Sequence, residues 1–148
     1  MSEQITAQFA WHVHHGTLVE PLVEPIEVRR EYIRTHKPKS EQELRLRLLH
    51  EVEGELPPEV VKAGQRWYAA KQALDEARQA YHEAEQVPDE ACQAYTEALR
   101  ARKEARRAYL ETLDAHMDAV LELHDRECPD CPWDGHTIFP DGGDASGR

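Results

Sequence analysis

The sequence predicts an α+β protein: a small mixed head of two or three short strands and a short helix, a long antiparallel helical hairpin of coiled-coil type, and a Cys/His-rich ending. Three observations carry this prediction. "FAWHVHH" alternates Phe9, Trp11 and Val13 with Ala10, His12 and His14, the period of a strand, and stops at Gly16. From Pro58 the chain repeats itself every 14 residues, or two heptads, as "EARQAYHEA" at Glu76, "EACQAYTEA" at Glu90 and "EARRAYLET" at Glu104. Finally, "HDRECPDCPWDGH" gathers His124, Cys128, Cys131 and His136 into one short stretch.

In the head, residues 1–57, "LVEPLVEP" follows the first strand. Pro21 and Pro25 lack the N–H that a ladder requires, which makes this an edge strand or an extended connection. "IEVRREYIRTH" reads as a short helix closed by "KPKS", since Pro38 disfavours helical backbone in the residue before it. "ELRLRLLHEV" places Leu44, Leu46 and Leu48 on one side and Arg45 and Arg47 on the other, and reads as a further strand.

Residues 58–124 carry the helical pattern. Prolines are tolerated in a first helical turn, and Glu59 suits the positive end of the helix dipole. Alanines at 63, 70, 77, 84, 91, 98 and 105 interleave with Val60, Trp67, Leu74 and Tyr81, so two helices can approach closely with rings over alanines. Pro88 interrupts the run. A proline within a helix costs about 3 kcal/mol, whereas Pro-Asp-Glu is a favourable first turn, so helices over 58–86 and 88–124 are predicted to fold back on each other. The heptad register nevertheless crosses Pro88 unbroken, which also suits one long bent helix pairing with another subunit. The tract "LRARKEARR" places Arg100, Arg102, Lys103, Arg106 and Arg107 among Glu97, Glu104 and Glu111, the spacing of a salt-bridged helix surface.

Residues 125–140 are expected to pack on the head as a metal-binding segment, and 141–148, "DGGDASGR", to form a disordered tail. His124 and Cys128 stand one helical turn apart, "CPDC" presents two thiols to one ion, and "PWDG" turns the chain to return His136. Two sulfurs and two imidazoles suit tetrahedral zinc. Four protein ligands would leave no position for water, so the zinc is read as structural. A redox-active Cys pair or inert thiols are the alternatives. Should Cys131 or either C-terminal histidine fall outside the shell, a histidine of "WHVHH" (His12, His14 or His15) would complete it. The same stretch is the rival source of chemistry: His12 and His14 on one strand face, with Glu20 or Glu24, could serve a metal-dependent hydrolase. No HExxH and no deaminase-type H-x-E ahead of the C-x-x-C accompany it.

Composition narrows the partners. The formal charge is −11, and all three regions are acidic, which disfavours nonspecific binding to phosphate backbones. No apolar run reaches the roughly 18 residues of a membrane span, and "MSEQITAQFA" lacks the basic flank and apolar stretch of a signal peptide. With three cysteines, one of them isolated at Cys92, a reducing, cytoplasmic setting is expected. "REYIRTHKPKSEQELRLRLLHEVEGELPPEVV", the "EARQAY" helices and the ending "HDRECPDCPWDGHTIFP" resemble a group of small uncharacterised proteins from phage and metagenomic sequences. The resemblance implies an extendable helical arm and a virus-encoded origin, and with it a host cytoplasm, but no activity. The function expected is a nonenzymatic interaction or assembly module that meets a protein partner or a second copy through its helical arm. The alternative is an acidic inhibitor that imitates nucleic-acid phosphates in a basic groove of a host enzyme.

Overall fold

A computed structural model describes residues 8–84, 86 and 88–140, so the tail expected at 141–148 lies outside the described residues. The chain divides into two compact units. One joins Met1–Glu55 to Leu121–Arg148, and the other is Leu56–Val120.

In the first unit, strand β1 (Phe9–Trp11) lies between β2 (Val19–Pro21) and β3 (His50–Glu51), antiparallel to both. Phe9 faces Pro21 and Trp11 faces both Val19 and His50. Pro21 thus sits on an edge strand, where its missing N–H breaks no ladder bond. All three residues of β1 are buried. The expected alternation ends there, because His12 adopts φ +55° and leaves the strand, its N–H donating to the Leu18 carbonyl at 3.0 Å.

Helix α1 (Ile26–His36) begins after Pro25 and ends before Pro38, turning Ile33 and Arg29 inward. Arg29 Nε donates to the Val13 carbonyl at 3.2 Å. The strand expected from Leu44 to Leu48 is instead helix α2 (Lys39–Leu48), and only His50–Glu51 is extended. The reason is an ion pair that only a helix can close: Arg45 Nε and Nη2 donate to Glu41 Oε1 at 2.9 and 2.7 Å, four residues back, with both side chains buried. The leucines then divide between two cores. Leu46 joins Ala10, Val13, Leu22, Ile33 and Leu49, while Leu44 and Leu48 pack with Cys128, Cys131, Trp133, Ile138 and Phe139.

The second unit is a hairpin of α3 (Pro58–Glu83) and α4 (Asp89–Ala115). Trp67 meets Tyr109 and Tyr81 meets Tyr95, each pair with ring centroids 5.3 Å apart. Members of each pair are equidistant from Pro88, 21 residues away in the first case and 7 in the second. A 14-residue repeat folded back at the midpoint between two copies therefore stacks ring on ring, and the unbroken heptad register is compatible with a turn. Rings meet rings here, where the repeat suggested rings over alanines. The salt-bridged surface expected on α4 is absent among the described residues: Arg100, Arg102, Lys103 and Arg107 form no ion pair, and Arg106 lies over the Trp67 ring at 5.8 Å. Nor does the second helix run unbroken from residue 88 to 124. It breaks at His116, whose N–H closes onto Thr112 and Leu113, and α5 (Met117–Glu127) continues three residues further than expected.

Candidate metal centre

The site is built in the unit that holds the sheet. Helix α5 carries His124, and Cys128 follows its last residue, with the Cys128 N–H on the His124 carbonyl at 2.7 Å, so both side chains leave the same helical turn. Asp130 takes φ +61°, a conformation Asp tolerates, and this tight turn returns Cys131 beside Cys128. The fourth group comes from the other end of the chain. The φ of +55° at His12 turns its ring out of the strand pattern and into the space between α5 and the CPDC turn, Nε2 to Nε2 with His124 at 3.0 Å and 3.2 Å from Cys131 Sγ.

One donor atom from each of His12, His124, Cys128 and Cys131 lies within 4.8 Å of all the others. With metal–nitrogen bonds of about 2.0 Å and metal–sulfur bonds of about 2.3 Å, the edges of a tetrahedral shell run from roughly 3.3 to 3.8 Å. The His12–His124 and His12–Cys131 separations of 3.0 and 3.2 Å lie within a few tenths of an ångström of those edges, and the widest separation, at most 4.8 Å, would close by up to about 1 Å around a single ion.

His136, expected as a ligand from its spacing, is not in this group, and His12 stands with the other three residues instead. The Asp134 carboxylate accepts the His136 and Thr137 N–H groups at 2.8 and 2.9 Å, Gly135 adopts φ +105°, and this turn leaves the His136 side chain exposed. Beyond it, the Ile138 N–H reaches the His15 carbonyl at 3.0 Å, fastening the ending beside the sheet. His14 is exposed and pairs with the buried Glu20, and His15 Nδ1 approaches Thr137 Oγ1 at 3.4 Å. The two histidines that would have formed a hydrolase pair are thus separated, one in the cluster and one on the surface.

His12, His124 and Cys128 are buried and Cys131 is half-buried. Burial, and then the charges of His124 and His50, push the His12 imidazolium down to about 3, and burial lowers His124 as well. Burial, reinforced by the hydrogen bond with Cys131, pushes the Cys128 thiol up to about 12. Without an ion both imidazoles and the Cys128 thiol are therefore neutral, ready to ligate once a cation displaces the thiol proton. A thiol held protonated is a poor nucleophile, which weighs against the redox-pair reading.

No family model, curated protein or solved structure matches the chain. Trp11 meets the His124 ring edge-on at 5.2 Å, and Trp133 lies 5.6 Å from His12. His12 Nδ1 is buried without a well-formed hydrogen bond. Glu127 closes the far side, its carboxylate accepting from Trp11, Glu53 and Gly54; burial opposes its charge, yet these donors hold it below the usual range. No local motif announces His12 or Glu127. The only signal in the sequence for His12 is the surplus of histidines in "WHVHH".

Proposed function

We propose that the chain is a nonenzymatic interaction module in which a structural zinc ion closes the sheet-bearing unit and the hairpin meets a protein partner. The observation that carries this reading is the convergence of four donor atoms within 4.8 Å, drawn from the two ends of the chain. Four protein ligands fill a tetrahedral shell and leave no position for an activated water, and two sulfurs with two imidazoles favour zinc over harder ions. The sheet supports the same view: its strands are two or three residues long, too short to stabilise a unit of this size by pairing alone.

The hairpin is the part offered to a partner. Arg100, Lys103 and Arg107 are exposed on α4 in a chain of net charge −11, and Glu90, Glu97, Glu104 and Glu111 recur every seven residues beside them. The glutamate row would repel a phosphate backbone, whereas a protein surface bearing both signs can match both rows.

The zinc reading is tested by metal analysis of purified protein and titration with cobalt(II). One zinc per chain is expected, with a tetrahedral thiolate–cobalt spectrum that disappears in His12→Ala and persists in His136→Ala. Protein that retains no metal and gives no such spectrum overturns the reading. The reverse result for the two histidine variants would restore His136 to the shell. For the hairpin, association with a partner should weaken steeply as salt is raised, and salt-independent association would remove the charged rows from the interface.

A further inference from the structure

We propose that Glu127 and Gly54 form a positioning pair that assembles the metal site before an ion arrives; this rests on the metal-binding reading above. Glu127 is the last residue of α5, immediately before Cys128 and three residues after His124. A carboxylate there opposes the helix dipole, which favours cations at a C-terminus, so a compensating role is needed to explain it. The compensation is visible in its partners. Oε1 accepts the Trp11 indole N–H at 3.1 Å and the Glu53 N–H at 2.8 Å, and Oε2 accepts the Gly54 N–H at 2.8 Å.

These three bonds join the segments on which the ligands depend. Trp11 is the residue before His12 and packs edge-on against the His124 ring at 5.2 Å, so the bond to its indole fixes two of the four donors through one side chain. The bonds to Glu53 and Gly54 hold the segment after β3 against the same helical turn. Gly54 permits that approach. A Cβ at this position would stand 2.6 Å from Leu123 Cδ1 and 2.8 Å from Glu127 Oε2, so the ends of both side chains would have to shift, and with them the carboxylate that receives the three bonds. The pair therefore sets the distance between His12, at one end of the chain, and the His124–Cys128 turn, at the other. Groups that orient metal ligands from outside the shell typically govern affinity by about 10- to 100-fold.

The test is cobalt(II) affinity, measured by competition with a chelator of known strength, at a temperature below the melting transition of the sheet-bearing unit in every protein compared, followed by the near-ultraviolet circular dichroism of its tryptophans. Glu127→Ala and Gly54→Ala are expected to bind cobalt about 10- to 100-fold more weakly while reaching the same tetrahedral spectrum at saturation. Glu127→Gln, which keeps one acceptor oxygen, should fall between, and it decides the matter if the alanine variant does not fold. Ile33→Val, in the apolar core of the same unit, serves as the control: it should lower the melting temperature and leave the cobalt affinity unchanged. Equal affinities for the unsubstituted protein, Glu127→Gln and Gly54→Ala overturn the inference, as does an equal loss in Ile33→Val. Failure of the unsubstituted protein to bind cobalt instead overturns the zinc reading on which the pair depends.

Discussion

The hairpin buries Val60, Ala63, Leu74, Tyr109 and Leu113 along a seam that recurs with the heptad, whereas the sheet-bearing unit buries His12, Glu20, Arg29, Glu41, Arg45 and His124 beside its apolar side chains. Every buried polar or charged residue among the described residues belongs to the sheet-bearing unit. An apolar seam is redundant, since each layer adds a similar increment and the loss of one leaves the rest. Buried polar groups are all-or-none, because a donor or acceptor stripped of its partner costs more than the bond gave. The two units should therefore respond oppositely to the same kind of injury: the hairpin by degrees, the sheet-bearing unit as a whole.

Removing the metal should give the largest effect. An ion held at a thousandfold excess over its dissociation constant adds about 4 kcal/mol to the folded state, and for a unit of this size that corresponds to a melting temperature lower by about 20 °C after chelation. The near-ultraviolet dichroism of Trp11 and Trp133, which pack on His124 and His12, should be lost in that lowered transition. The far-ultraviolet helical signal, dominated by α3 and α4, should largely persist. Loss of both signals together would abolish the contrast and make the molecule one cooperative block.

Leu74→Ala injures the other unit. Leu74 is 1% exposed, and deleting such a side chain costs about 2 to 5 kcal/mol. The hairpin transition should move down by that amount while the cobalt spectrum keeps its shape and intensity. A changed cobalt spectrum would show that strain in the seam reaches the metal ligands.

The same contrast explains what the sequence discloses. Repetition is local, so the two helices of the hairpin are legible from spacing, although the same register admitted one long bent helix and placed rings over alanines; His124, Cys128 and Cys131, which lie within one turn of helix and one tight turn, are legible in the same way. His12 is not legible in this way. Its nearest partner in the cluster, His124, is 112 residues away, and its ring reaches the site only because a positive φ breaks the strand alternation. The helix over Lys39–Leu48 is obscured for a different reason: over five residues, leucines at 44, 46 and 48 satisfy a period of two and also two separate faces of a helix. The deciding signal lay in the charges. Glu41 with Arg45 and Glu43 with Arg47 are each four apart, a spacing that supports a helix and has no meaning along a strand.

Acidity should sharpen the contrast in metal-free protein. His12 is lowered from 6.5 to about 3 in the folded unit, so the unfolded chain takes up a proton that the folded one refuses, and stability falls as pH drops below about 6.5. Cys128 is raised from 9.0 to about 12, so the unfolded chain loses a proton that the folded one keeps, and stability falls again as pH rises above about 9. Chemical denaturation of the metal-free protein from pH 4 to 10 should show a plateau for the sheet-bearing unit between those limits, while the hairpin seam contributes no such profile. Stability that stays flat down to pH 4 would mean that His12 is not buried without an ion.

The smallest effect is expected at Pro88, and it tests whether the hairpin depends on its turn residue or on its seam. Pro88 precedes α4 with extended backbone, and its carbonyl accepts the Ala91 and Cys92 N–H groups at 3.0 and 3.2 Å. Replacing it with alanine removes the penalty of about 3 kcal/mol that a proline imposes on a continuous helix, so α3 and α4 become free to join. Two such joined helices, lying antiparallel about residue 88, would reproduce the Trp67–Tyr109 and Tyr81–Tyr95 contacts between chains, because each pair is symmetric about that position. Contacts therefore cannot choose between the hairpin and its exchanged dimer; concentration does. A short connection holds the two halves at an effective concentration on the order of millimolar, far above the micromolar range of ordinary measurement. Pro88→Ala should accordingly sediment as a monomer at micromolar concentration, with the hairpin shifted by no more than about 1 kcal/mol. A salt-insensitive dimer at that concentration would show that the proline, and not the seam, keeps the chain folded back on itself.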